Sequence, residues 1–356
     1  MTERSNQFFY QARDADRAVR VDPHEMRLAP DVHRRYLFGV LAELDQLLPG
    51  AGLTFWITWE RDRFDERFRD SVAVLYDDDQ LQKPLWRAAV SVIFKTVGLG
   101  PEPLRYTAAL PMEIAWRMSL RDARNFALQL WRHVRGPRIK GASAATFQIP
   151  LGASALVDIP DTPFSKRPVD VFFAGSVSES DGFTIRPKNV ARRQMEAGLE
   201  AARQALPDLR VDYRVFEEFG IHASLDARIL RTEDYARCLA ASKYALCPRG
   251  NVEETYRLFE AARAGCVVIS EPLPPRWYFA DAPYVAVRRW SELPAALAEL
   301  REDERRAAEI AGAARSWWQD RIAEPHVAQF MRERIPARGR LSGSSDDQIV
   351  GREVVH

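Results

Sequence analysis

Cysteine is scarce in this sequence: three in 356 residues, Cys238, Cys247 and Cys266, an odd number with no C-x-x-C spacing. That excludes a disulfide framework and a cysteine-based zinc site, and makes the three small core residues beside apolar stretches. Long hydrophobic runs are missing too, since no window approaches the roughly 18–20 uninterrupted apolar residues of a spanning helix. The opening stretch MTERSNQFFYQARDADR is polar where a secretory leader would carry an apolar segment. The expectation is a cytoplasmic protein with no transmembrane segment, peripheral membrane contact being left open. Net charge is absent as well: 51 Lys and Arg against 50 Asp and Glu leave +1. A dominant basic surface for coating nucleic acid is thereby excluded, and a small or neutral ligand is favoured. No internal repeat of fixed period is found.

What is present is a globular composition, 46% hydrophobic and 28% charged. The length exceeds what one core usually fills, because single cores stop growing near roughly 250–300 residues, so two lobes are expected. Residues 1–30 show little periodicity and read as an irregular lead-in. In DVHRRYLFGVLAELDQLLPG, apolar residues from Tyr36 to Leu48 recur at helical spacing and stop at Pro49-Gly50. LTFWITW (53–59) and SVAVLYDDD (71–79) read as strands. LWRAAVSVIFKTVG and AWRMSLRDARNFALQLWRHVRG read as helices, the latter stopping at Gly136-Pro137. Between Gly141 and Pro168 the chain turns rich in Pro, Gly, Ser and Ala, which reads as extended linker.

After this linker, short apolar runs alternate with amphipathic helices. VDVFFAGSV, LRVDYRVF, KYALCP and CVVIS are strands, and RRQMEAGLEAARQAL, EDYARCLAAS and EETYRLFEAARAG are helices. This is the pattern of a parallel α/β sheet, whose ligands sit beyond the carboxyl ends of its strands. SKYALCPRGNVEETYRLFEAARAGCVVIS therefore draws the eye. A buried strand ends at Pro248, passes Arg249-Gly250-Asn251 and enters a helix. Asn251 and Glu254 have capping-box spacing, which places the helix start there. Amides at such a start attract anions, and Gly250 permits close approach of a ligand. Glu253, Arg257 and Glu260 share one helix face. They form either a solvated ion-pair stripe or a nucleotide site, in which a guanidinium forks onto phosphate and a carboxylate accepts ribose hydroxyls.

The segment from Tyr235 and Leu239 through Pro248, Arg249 and Gly250, then Thr255, Arg257, Glu260, Ala261 and Cys266, resembles the donor-binding segment of exostosin-like glycosyltransferases (glycosyltransferase family 47), with Thr255 where the family usually has serine. The resemblance covers about residues 230–272, with weaker echoes at Phe172–Ser176, Arg192-Arg193 and Phe94–Thr96. It implies a GT-B fold, two Rossmann-like domains facing each other across a cleft, with a C-terminal helix crossing back to the first. On that scheme 31–160 is an acceptor-binding domain and 161–315 a nucleotide-sugar-binding domain. Residues 316–336 are the returning helix and 337–356 a flexible tail. The implied activity is transfer of a sugar from a nucleotide diphosphate, usually UDP, to a glycan or small-molecule hydroxyl. Inversion and the lack of an essential metal or other cofactor are implied with it. A non-catalytic nucleotide- or glycan-binding protein of the same fold is the alternative. Arg249, Gly250, Thr255, Arg257 and Glu260 are the implied donor-binding residues.

Gly175 and Ser176 follow the first strand of the second lobe, where a flexible loop would approach the donor phosphates. Arg186, Lys188, Arg192 and Arg193 come next, and either touch the diphosphate or form a solvated basic face on the next helix; among the four, Arg192 or Arg193, at the helix start, is the choice for the phosphates. Asp77, Asp78 and Asp79 could hold a cation but read as a solvated turn, so no metal site is expected. The general base that inverting transfer requires has candidates in Asp77, Asp78, His24, His33, Glu60 and Glu113, and no spacing selects among them. Trp277, Tyr278 and Phe279 either approach the sugar or pack beneath a loop, and Trp317 and Trp318 read as interdomain packing.

Overall fold

The computed structural model describes residues 5–336 except 14, 29–33, 77–82, 100–111, 136–140, 155–157, 177–186 and 217–231. The first unit holds β1 (Gln7–Tyr10), β2 (Val19–Val21), α1 (Pro23–Met26), α2 (Arg35–Leu47), β3 (Thr54–Thr58), β4 (Val72–Leu75), β5 (Val92–Lys95), α3 (Met112–Arg135) and β6 (Ala145–Gln148). Its sheet runs β2-β1-β3-β4-β5-β6, parallel except for β2. The second unit holds β7 (Val169–Ser176), α4 (Pro187–Ala205), β8 (Val211–Phe216), α5 (Thr232–Ala240), β9 (Ser242–Leu246), α6 (Tyr256–Arg263), β10 (Val267–Ser270), β11 (Val285–Ala286), α7 (Leu293–Glu302) and α8 (Glu304–Trp317). All of its strand pairs are parallel, in the order β11-β10-β9-β7-β8. The two expected α/β units, each with a mostly parallel sheet, are thus present.

Four sequence expectations need correction. The lead-in is not irregular, because Phe8 and Tyr10 bury one face of β1, which pairs with β3; a four-residue strand is too short to show its period. The segment 85–98 is not a helix. Val92, Ile93 and Phe94 lie in β5, buried on both faces between β4 and β6, and a continuous apolar run carries no period to tell strand from helix. The stretch 141–168 is more than linker, since it supplies edge strand β6. Finally, the helix after β9 begins at Thr255 as its N-cap, not at Asn251, and Glu254 is withdrawn from any capping box by partners in the seam.

The strand order explains why ligand chemistry concentrates in the second unit. From β7 the chain moves to β8 on one side and then to β9 on the other, so the carboxyl ends of β7 and β9 flank a topological switch point. The units meet there: Val97, just past β5, packs on Val252, just past β9. The Leu151 amide donates to Glu254 Oε1 at 2.5 Å, and Trp277 Nε1 donates to the Gln148 carbonyl at 2.8 Å.

A final helix, α9 (Glu324–Arg334), lies against α2 of the first unit, burying Val327, Ala328 and Met331. Tyr36 Oη donates to the Ile322 carbonyl at 2.5 Å, and its ring sits 5.9 Å from that of Trp318. Gly152 makes room for this contact. Its φ is +72°, and a Cβ there would fall 2.1 Å from the Tyr36 ring. Gly152→Ala is expected to lower unfolding free energy by at least about 2 kcal/mol in urea titration, combining backbone strain with overpacking. Gly312→Ala in α8 meets nothing within 4 Å, and should instead stabilise by up to about 1 kcal/mol through helix propensity.

Candidate functional site

Three arginines separated in sequence converge beyond β7 and β9. Arg257, in the first turn of α6, is 8% exposed. Its Nη2 and Nε donate to the Ala174 carbonyl at 2.6 and 3.0 Å, and its guanidinium lies 4.6 Å from the Phe173 ring centre. Gly175 is what allows this approach, because a Cβ at that position would stand 2.3 Å from Arg257 Nη2. Arg249, 1% exposed, donates its backbone N–H to Glu271 Oε2 at 3.0 Å, and its guanidinium stands 3.4 Å from the Glu253 carboxylate. Arg192, 7% exposed, is held near Arg257 by α4. Burial first, and the Arg257 cation second, push its pKa down to about 9.

Two buried donors in this cluster lack a protein acceptor among the described residues, the Thr255 hydroxyl at the α6 N-cap and Arg257 Nη1. A buried donor without an acceptor forfeits the hydrogen bond it had with water, at roughly 1–3 kcal/mol. Placed at a helix start and beside crowded guanidiniums, such donors suit an anion with several oxygens.

The other expected residues fall as follows. The Glu253, Arg257 and Glu260 stripe is not solvated: all three are buried. Glu253 precedes α6 and faces Arg249 and Arg276. Glu260 Oε1 accepts from the Ser154 amide at 3.0 Å and from the Ser154 hydroxyl, so it ties the second unit to the first. Gly250 donates its N–H to the Val252 carbonyl and neighbours Thr255. Ser176 closes β7, and Arg193 points outward from α4 while Arg192 points in. The helix begins at Pro187, five residues before Arg192, so that arginine acts from the second turn.

Of the base candidates, Glu60 is committed. Its Oε1 accepts from the amides of Arg61, Asp62 and Arg63, and its Oε2 from Arg63 Nε at 3.2 Å. His24 stands 3.8 Å from Asp45 of α2. Asp77, Asp78, Asp79, His33 and Arg186, and the tail 337–356, lie outside the described residues, as does the side chain of Glu113. Trp277, Tyr278 and Phe279 serve packing. Trp277 stacks on Phe330 at 4.0 Å, and Phe279 stacks with Phe259 and Trp317.

Sequence reasoning missed Glu271 and the Glu254 cluster. Glu271, directly after β10, accepts from Trp290 Nε1 at 2.9 Å as well as from the Arg249 amide, and burial raises its pKa. Glu254 accepts from Tyr278 Oη at 2.7 Å and pairs with Arg276. Burial raises its pKa, and the Arg276 cation works against that rise. The only signal for Glu271 was its place at a strand end, where ligands gather.

Residues 193–333, about two-fifths of the chain, match a family described as glycosyl transferase-like. No curated protein matches the chain. Among solved structures it is similar in outline to the glycosyltransferase SnogD from Streptomyces nogalater, with 12% identity over 87% of this chain and 84% of that one and a TM-score of 0.39. It is similar also to the pneumococcal O-GlcNAc transferase GtfA in complex with UDP and GlcNAc, with 12% identity over 84% of this chain and 60% of that one and a TM-score of 0.42. Anabaena Alr3699/HepE in complex with UDP gives 12% identity over 84% and 76%, with a TM-score of 0.37.

Burial of Arg192 beside the Arg257 cation disfavours its charged form. Arg192→Met is accordingly expected to leave the ligand-free protein no less stable than the parent, measured by melting temperature. A drop of several degrees would mean that Arg192 is a structural strut.

Proposed function

We propose that the protein transfers a glycosyl group from a nucleotide diphosphate donor, a UDP-sugar, to a hydroxyl of a glycan or small-molecule acceptor. The observation that carries this reading is the pair of buried donors without acceptors among the described residues, Thr255 Oγ and Arg257 Nη1, beside Arg192 and Arg249 at the switch point. A diphosphate supplies the acceptors they lack. The glycosyl transferase-like match over residues 193–333 supports the same reading, and the resemblance of residues 230–272 to exostosin-like enzymes is the ground for proposing an inverting, metal-independent reaction.

On this reading the arginines act on the leaving group. As the bond between the anomeric carbon and the phosphate oxygen lengthens, negative charge collects on the diphosphate. Guanidiniums already fixed by Ala174, Glu253 and Phe173 meet that charge without reorganising. Glu260 receives the ribose hydroxyls in exchange for its contacts with Ser154, so donor binding loosens one tie between the units. The base comes from the first unit, and neither Glu60 nor His24 is assigned to it.

Arg257→Ala is expected to weaken UDP binding by about 10- to 100-fold in calorimetry, the worth of charge-assisted bonds of roughly 1.5–3 kcal/mol. Gly175→Ala should weaken it comparably by driving Arg257 from its seat, and unchanged binding in both would sink the site. A panel of UDP-sugars with excess EDTA should still yield product, with NMR showing inverted anomeric configuration. Tight UDP binding without transfer or donor hydrolysis would identify a nucleotide-binding protein of the same fold instead.

A further inference from the structure

Helix α3 is amphipathic with its sides reversed. Ile114, Met118, Asp122 and Asn125 recur at spacings of four, four and three, and all are buried against the protein. Two of these four are polar. Asp122 pairs with Arg121, whose guanidinium also reaches the Asn251 carbonyl in the second unit; farther along, Arg132 pairs with Asp62 in the first. The opposite side is apolar and exposed: Trp116 (49%), Leu120 (62%), Leu130 (56%), Trp131 (53%) and Val134 (64%), with Ala123 and Ala127 in the same row. At 100° per residue these positions form one arc, roughly 100° wide and about 27 Å long. An apolar stripe of this size on a surface helix marks a docking face.

The exposed charges among the described side chains beside the stripe are of one sign. Arg117 and Arg135 lie over the rings of Trp116 and Trp131 at 4.4 and 5.1 Å, and Arg124 and His133 are exposed. The acidic residues of the helix are buried Asp122 and, in its first turn, Glu113. A second copy of this chain laid on the stripe would bring arginine against arginine. An anionic lipid surface supplies the opposite charge everywhere along the helix and asks for no complementary shape. Tryptophans at both ends, arginines on the flank and a broad apolar arc are what an interfacial helix needs to lie in the headgroup layer.

We infer that α3 is a membrane-surface helix that seats the protein on anionic lipid through its apolar arc and flanking arginines. Because the same helix contacts Asn251 in one unit and Asp62 in the other, the docked face lies along the seam between them. This inference stands apart from the proposed activity and needs no donor or acceptor to be tested.

The test is co-sedimentation of the full chain with vesicles of phosphatidylcholine alone and with added phosphatidylglycerol. Binding is expected only when phosphatidylglycerol is present, weakening with salt, with a blue shift of tryptophan emission. Leu120→Glu with Leu130→Glu should abolish binding, and Arg124→Gln and Arg135→Gln should each weaken it about fivefold. Melting temperature and circular dichroism should stay those of the parent, as all four side chains are exposed. In Trp116→Phe/Trp131→Phe the blue shift should disappear while binding remains. Absence of binding to the phosphatidylglycerol vesicles overturns the inference, as does binding untouched by the two glutamates. So does a dimer in sedimentation velocity that those glutamates dissociate, which would make the stripe a contact between copies.

Discussion

The crowding of Arg192, Arg249 and Arg257 at the carboxyl ends of β7 and β9 is the constraint around which the second unit is arranged. Burying guanidiniums is costly, and contacts with the neighbourhood offset that cost. The Ala174 carbonyl and the Phe173 face hold Arg257, Glu253 faces Arg249, and Glu271 takes the Arg249 amide. Each contact fixes a position, and two donors, Thr255 Oγ and Arg257 Nη1, have no acceptor among the described residues. Gly175 follows from this arrangement, since any side chain there would collide with Arg257. The strand order supplies the space, because a sheet that turns both ways from β7 opens a crevice where those side chains meet.

The seam between the units is the second consequence. The residues immediately after the arginine turn are spent on it: Glu254 binds Leu151, Tyr278 and Arg276, and Glu260 binds Ser154. The same short stretch thus forms the crevice wall and the seam contacts, so a ligand that competes for Glu260 alters both. On the far side, α9 lies against α2, Tyr36 of α2 bonds Ile322 just before α9, and the aromatic stack of Phe259, Phe279 and Trp317 anchors α6 to the returning helices. α3 spans the same seam from outside and presents its apolar side outward.

Much of the second unit was legible in the sequence, for physical reasons that the first unit lacks. β7, β9 and β10 are apolar runs separated by helices with clear period, and Arg249, Arg257 and Glu260 stand at strand-end and helix-face positions that a nucleotide site would use. Spacing could not say that the stripe was buried, because burial is decided by Val97, Leu151 and Ser154 from the other unit. It also misplaced the start of α6: Asn251 and Glu254 have capping spacing, but Glu254 finds stronger partners in Arg276 and Tyr278. In the first unit, β1 is four residues long and β5 is buried on both faces, so neither shows the alternation that identifies a strand. The reversed polarity of α3 was invisible for the opposite reason. Its period is strong, and a period tells which residues share a face without telling which way the face points.

The central claim is that the arginine crevice holds a diphosphate. The measurement that tests it most directly is a crystal structure of the chain with UDP. Phosphate oxygens are expected within hydrogen-bond distance of Thr255 Oγ and Arg257 Nη1, with Arg192 and Arg249 flanking them. UDP seated elsewhere, with Thr255 Oγ and Arg257 Nη1 unchanged, would contradict the account.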